Sequence, residues 1–279
     1  MFDERTGLRS VILNSMTIMP AVFPLARESP VPLPAVPVRA RRGGPEEDDD
    51  FRIPSAESKF VGRADQEEFV LAWLRHVCLP DPGYPEAVVK TLYYDTPVLS
   101  SYHEKVGGDF IKTKCRLRWY DPDLSTDPAL RTTYLEIKHK IGQGRRKSRT
   151  RVAVDRDWLD TAGLDHPRFL EILARDAPSL GERLPSGLTP AAVVEYRRRR
   201  FICPFTLSRV CLDTAIGLGR INERLLPRLG PKTVGTIVLE IKDGGRVRIP
   251  WLGTLYAAGI RQRSFSKYGA CIASLLKEE

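Results

Sequence analysis

Residues 112–119 read KTKCRLRW, with Lys112, Lys114, Arg116 and Arg118 at every second position. Thr113, Cys115, Leu117 and Trp119 fill the positions between. In a β-strand this spacing sends four cations to one face and the less polar set to the other. The pattern recurs. In YLEIKHK, Glu136, Lys138 and Lys140 share one face, while Leu135 and Ile137 take the other. In VLEIKD, Glu240 and Lys242 oppose Leu239 and Ile241. In VVEYRRRRF, Arg198 and Arg200 fall with Tyr196; in SRVCLDT, Arg209 falls with Asp213. The apolar faces have to pack on something, and helices are the available partners. A closed sheet with helices outside turns the charged faces inward around a hydrated bore. Cations in such a bore repel each other and lose hydration, and a triphosphate would relieve both. Glutamates among them suit Mg²⁺ or Mn²⁺, hard ions that prefer oxygen and bridge to phosphate.

The remaining elements fit this plan. Strands are expected at 87–96, 112–120, 132–140, 191–201, 208–214, 235–243 and 246–250. Helices are expected at 64–78, 166–177 and 264–277. In the first, Phe69, Trp73 and Val77 form a stripe with Val70 and Leu74 beside it. Pro167 suits the first turn of the second. Ser264 or Ser266 is placed to cap the third. The class is α+β without βαβ alternation, and no Walker loop or GxGxxG is present.

The chain has 279 residues and a net charge of +9. Residues 1–50 carry 6 basic and 8 acidic side chains, so the remainder holds 38 basic against 27 acidic, net +11. A basic globular part points to a polyanionic partner. Eight prolines between 20 and 54, ending in PEEDDDF, predict an extended, disordered lead-in over 1–50 and a folded domain over 51–279. Five scattered cysteines fit a reducing, cytoplasmic setting without disulfides or a zinc site. No apolar run reaches the ~18 residues of a membrane span. The histidines show no metal spacing. Tyr93, Tyr94 and Trp119 are expected in the core, and 145–151 as a solvated basic hairpin that could receive a polyanion.

RIPSAESKF (52–60), TLYYDT, KTKCRLRWY, YLEIKHK, EYRRRRF, SRVCLDT, VLEIKD and SFSKYGA occur in the order seen in the VTC domain. The chain therefore resembles the polyphosphate polymerase branch of the triphosphate tunnel metalloenzymes, the CYTH-like superfamily, over roughly 52–277. The resemblance implies a closed antiparallel barrel forming a tunnel. It also implies metal-dependent transfer of the γ-phosphate of ATP to a growing polyphosphate chain. Catalytic roles then fall to Arg116, Arg118, Arg198, Arg209 and Lys267. Lys59, Lys114, Lys138, Lys140, Arg200 and Lys242 would bind phosphate. Glu240 would be the first metal ligand, with Glu136 and Glu57 behind it, and Mn²⁺ or Mg²⁺ the cofactor. ATP and polyphosphate are the implied partners, without nucleic acid; a membrane partner stays open. The four-arginine run at 197–200 leaves open which arginine faces inward.

Two other functions compete. A tunnel triphosphatase would hydrolyse inorganic or nucleoside triphosphate with the same residues. A non-catalytic module would only bind polyanions.

Overall fold

The computed structural model describes residues 56–123, 127–142, 144–227, 233–243, 249 and 251–276. The expected lead-in at 1–50, and the expected strand at 246–250 apart from Ile249, lie outside the described residues. Ten strands form one antiparallel sheet: β1 (Ala56–Arg63), β2 (Leu79–Pro80), β3 (Glu86–Asp95), β4 (Ile111–Asp121), β5 (Leu130–Ile141), β6 (Gly144–Asp155), β7 (Thr189–Ile202), β8 (Arg209–Ile221), β9 (Thr236–Asp243) and β10 (Arg261–Gln262). Among the described residues six α-helices accompany them: α1 (Glu67–Val77), α2 (Ser100–Val106), α3 (Arg156–Thr161), α4 (Arg168–Asp176), α5 (Leu252–Ala257) and α6 (Lys267–Leu276). The strand order is β10-β1-β9-β8-β7-β3-β4-β5-β6, with β2 added to the end of β7. The class is α+β, as the sequence predicts.

The alternation in the sequence is what holds the sheet in register. Leu117, Trp119, Leu135, Ile137 and Val152 point to one side and bury against Leu159 of α3 and Phe169, Ile172 and Leu173 of α4. Phe60, Val210, Leu212, Leu239 and Ile241 bury on the same side against Val70 and Leu74 of α1 and Leu255 of α5. Each such side chain contributes roughly 1.5–3 kcal/mol on burial. A slip of one residue would turn every one of them onto the charged face. Within α1, Val70 and Leu74 form the buried line, while Phe69 stays 47% exposed. The centre of the expected stripe is therefore shifted by one position.

Two expectations about the architecture change. The hydrogen-bonded path is open among the described residues: β6 and β10 are its two ends. Helix α6 does not lie outside. Its Tyr268, Cys271, Ile272 and Leu275 pack with Val89, Tyr93, Val194, Tyr196 and Val238, which stand on the charged side of β3, β7 and β9. Tyr268, Cys271, Ile272 and Leu275 recur at helical spacing and lay one stripe of the helix on this concave side. One part of the concavity is thus filled with apolar side chains, and the N-terminus of α6 faces the charged part.

The expected basic hairpin at 145–151 belongs to β6, paired with β5 along its whole length. Val152 and Val154 bury with the α3–α4 core, so Lys147 and Arg149 necessarily take the charged face. The basic residues mask the apolar period at the start of this strand. They also protect an edge strand from pairing with another chain.

Candidate polyanion site

Cross-strand register sets like charges side by side. Lys114 of β4 pairs with Lys138 of β5, and Lys112 with Lys140. Lys138 pairs in turn with Lys147 of β6. Like charges directly opposed destabilise a sheet, so a third party must offset them. Glu136 does so in part. Its Oε2 accepts from Arg116 Nε at 2.7 Å and lies 3.7 Å from Arg118 Nη1. Its Oε1 lies 3.2 Å from Lys147 Nζ and 3.8 Å from Arg149 Nε. Burial opposes ionisation of Glu136, but Arg116 and Arg118 outweigh it and hold its carboxyl well below the usual range. Lys114 and Lys138 are offset only in part, Lys138 by Glu136 and Glu57. Burial, with repulsion from Arg116 and Lys59, brings Lys114 down to about 8, although Tyr93 works the other way. Burial and Arg116 push Lys138 well below an ordinary lysine.

A second network forms where β7, β8, β9 and α6 meet. Arg198 Nε and Nη2 donate to Asp213 Oδ1 and Oδ2 at 2.6 and 2.7 Å, and Nη2 also reaches Glu240 Oε2 at 2.8 Å. Lys267 Nζ lies 2.6 Å from Asp213 and 2.8 Å from Glu240 Oε1. Lys59 Nζ stands 3.2 Å from Glu57 and 3.6 Å from Glu240. Burial works against the charge on Glu240, yet Lys267 and Arg198 keep it well below the carboxylate range. For Lys267, burial is outweighed by Asp213 and Glu240, which raise it. Helix α6 positions Lys267 at its first residue, and Ser266 caps the helix by accepting from the Gly269 N–H at 3.1 Å. Lys114 Nζ donates to the same Ser266 hydroxyl at 2.9 Å. Ser266 therefore joins the two networks.

Most expected site residues converge here: Lys59, Glu57, Lys114, Arg116, Arg118, Glu136, Lys138, Arg198, Glu240 and Lys267. In the arginine run, Arg198 faces the buried network. Arg199 turns to the other side, with Nη1 2.8 Å from Glu67 of α1. Arg200 is half-buried, donating to the Tyr84 carbonyl at 3.2 Å with its guanidinium 5.7 Å from the centre of the Tyr120 ring. Arg209 is exposed at the first residue of β8, opposite the half-buried Lys242. The carboxylate four residues on, Asp213, pairs with Arg198 and Lys267 instead. Lys140 is half-buried beside Lys112.

Lys147 and Arg149, expected in a basic hairpin that could receive a polyanion, reach Glu136 from β6, and Tyr93 joins them without a signal in the sequence. Tyr93 was expected in the core. It does stack on Tyr268 at 4.7 Å, but its hydroxyl receives Arg116 Nη1 at 3.4 Å. Burial would raise this phenol; Arg116, Arg118 and Lys114 overcome that and lower it. The signal was its register opposite Arg116, visible only once β3 and β4 are paired.

The two networks form a cation-rich cluster with buried carboxylates on the charged face of an antiparallel α+β sheet. The VTC domain family model matches residues 55–276, and the chain belongs to that family. No curated protein matches it in sequence. Solved structures of distant similarity include a candidate adenylate cyclase from Bacillus halodurans, 14% identical with a TM-score of 0.41, over 75% of this chain and 92% of that one. Another candidate adenylate cyclase, from Vibrio parahaemolyticus, is 11% identical with a TM-score of 0.37, over 77% of this chain and 96% of that one. The Schizosaccharomyces pombe Mediator head module gives 13% and 0.37, over 74% and 96%. Such distant likenesses carry no functional argument. Among the described residues, no helix is long and apolar enough to cross a membrane.

Proposed function

We propose that the domain is a metal-dependent polyphosphate polymerase that passes the γ-phosphate of ATP to a growing polyphosphate chain. The observation that carries this reading is the row of opposed cations, Lys114–Lys138–Lys147, flanked by Arg116 and Arg118 and short of carboxylates. A string of phosphates supplies one negative charge per unit and would satisfy such a row along its length. Arginine forks suit bidentate phosphate contacts; lysines supply point charge. In this reading the open sheet is curled around the phosphate string as a tunnel, with Glu57 of β1 near enough to Lys138 of β5 to favour its charged form.

Phosphoryl transfer needs positioning and charge neutralisation more than covalent help from the protein. Arg116, Arg118 and Arg198 would hold the phosphates in line, and Lys267 would neutralise the transferred or leaving group. A terminal phosphate oxygen of the acceptor attacks, so no protein nucleophile is required.

The donor set fits a hard divalent ion in part. Glu57 and Glu240 already share one cation, the ammonium of Lys59, and Mg²⁺ is commonly held by one or two carboxylates plus substrate phosphates. Glu136 and Glu240 each have both oxygens engaged by cations, Arg116 and Lys147 on the first, Arg198 and Lys267 on the second, so a metal ion would displace one of these contacts. Among the described residues, no group of three His, Cys, Asp or Glu side chains forms a ready-made metal cage. Glu240 and Glu57 would hold Mn²⁺ or Mg²⁺, which when bound would offset charge on the phosphate oxygens.

The test is incubation of the pure protein with ATP and Mn²⁺, with products resolved by chain length. Long phosphate chains with stoichiometric ADP are expected. Orthophosphate as the sole phosphate product would refute polymerisation and establish the hydrolytic alternative. Tight polyanion binding without turnover would leave only a binding module.

A further inference from the structure

We propose that an apolar lip at the β4–β5 end of the sheet docks on an anionic lipid bilayer. Phe110 is 70% exposed, Ile111 59%, Ile141 55% and Val106 65%. Contiguous apolar surface of this kind marks an interaction site on a soluble domain. Phe110, Ile111 and Ile141 are neighbours, and Val106 is four residues away along the chain. Ile111 and Ile141 are register partners. The Gly142 N–H donates to the Phe110 carbonyl at 2.9 Å, and the Phe110 ring lies where a Cβ on Gly142 would stand. Val106 ends α2, four residues before Phe110, which leads into β4. Ile111 begins β4, Ile141 ends β5 and Val106 ends α2, so the exposed apolar side chains stand at the ends of elements.

Charge complementarity selects the occupant. Lys105 precedes Val106 and donates to Ser264 at 2.8 Å; Lys112 and Lys140, one residue in from Ile111 and Ile141, pair on the charged face at the same end of the sheet, where Arg145 pairs with Lys140. Burial, then Lys112 and Lys140, lower the basicity of Lys105, so these cations repel one another at close range. Nearby acids do little to offset them. Glu104 turns inward to accept from the Thr113 N–H at 2.9 Å, Glu182 is buried against His139 and Arg146, and Asp109 remains exposed. Projecting apolar tips with basic residues behind them match the boundary between headgroups and acyl chains of an anionic membrane. Docked this way, the mouth of the cationic face at Lys112 and Lys140 would lie at the membrane surface.

The experiment is co-sedimentation of the full chain with vesicles of phosphatidylcholine alone, or of phosphatidylcholine with phosphatidylserine. Binding to the second only, weakened by salt, is expected. The variant F110S/I141S should lose about tenfold or more in affinity while melting like the parent. The charge variant K105E/R145E, which keeps the apolar tips, should lose about fivefold or more per charge. Three results would overturn the proposal: no pelleting with either vesicle, unchanged pelleting of both variants, or displacement by excess tripolyphosphate with F110S/I141S unaffected. A dimer that F110S/I141S converts to monomer would assign the lip to a second copy of the chain.

Discussion

Arg198 lays two nitrogens on the two carboxylate oxygens of Asp213, at 2.6 and 2.7 Å, and both side chains are buried. Such a pair contributes less to stability than its geometry suggests, because both ions give up hydration. Its value is orientation. With Asp213 engaging one edge of the guanidinium, Nη2 is held 2.8 Å from Glu240, and Lys267 is drawn to the same two carboxylates.

Replacing Asp213 with Asn removes the shared anion and leaves Arg198 and Lys267 with Glu240 alone. Breaking a buried pair by removing one partner costs about 3–5 kcal/mol. Urea denaturation of Asp213→Asn should show a loss of that order. A loss under about 1 kcal/mol would mean that the network does not depend on this residue.

Glu240→Gln should separate metal-dependent chemistry from anion binding. Loss of the carboxylate that Glu57, Lys59 and Lys267 surround should lower turnover about 100-fold or more. Affinity for tripolyphosphate should hold or rise, since a negative charge leaves the cationic face. Turnover at the parental rate would exclude Glu240 from the reaction; equal loss of turnover and binding would point to misfolding.

Lys114 gives a pH prediction with opposite signs for stability and binding. Its amine titrates at about 8 in the folded chain against 10.5 as the ordinary value. The folded state therefore binds fewer protons than the unfolded state between those values. The destabilisation from Lys114 is complete below pH 8 and is relieved as pH rises toward 10.5. A bound polyphosphate favours the ammonium form, so above pH 8 binding must take up a proton. Calorimetric affinity for tripolyphosphate should fall by up to about tenfold per pH unit above 8. Lys114→Met should bind more weakly near neutrality with a shallower pH profile. An identical profile for the variant would assign the proton to another group.

Much of this site was legible because a strand's period is two. Lys114, Arg116, Arg118, Glu136, Lys138 and Glu240 could be assigned to one face before any pairing was known. The inward position of α6 was not legible: its sequence is apolar on most sides, which suits an outer layer as well as the concave one. Nor was β6, where seven residues of charge and hydroxyl precede the first apolar pair, Val152 and Val154. Arg209 shows how far one face extends. It shares a face with Asp213 but stands opposite Lys242 at the start of β8, because four strand residues span about 13 Å.

Tyr93 offers the remaining test, since no pattern in the chain marks it as part of the site. Its hydroxyl is held among Arg116, Arg118 and Lys114, and those cations lower it despite burial. A phosphate oxygen drawn to the same cations would meet this phenol as a hydrogen-bond donor. Tyr93→Phe keeps the stack on Tyr268 and removes only the hydroxyl. A hydrogen bond to a charged group is worth about 1.5–3 kcal/mol, so affinity for tripolyphosphate should drop about tenfold or more with little change in melting temperature. Unchanged affinity would return Tyr93 to a packing role beside α6.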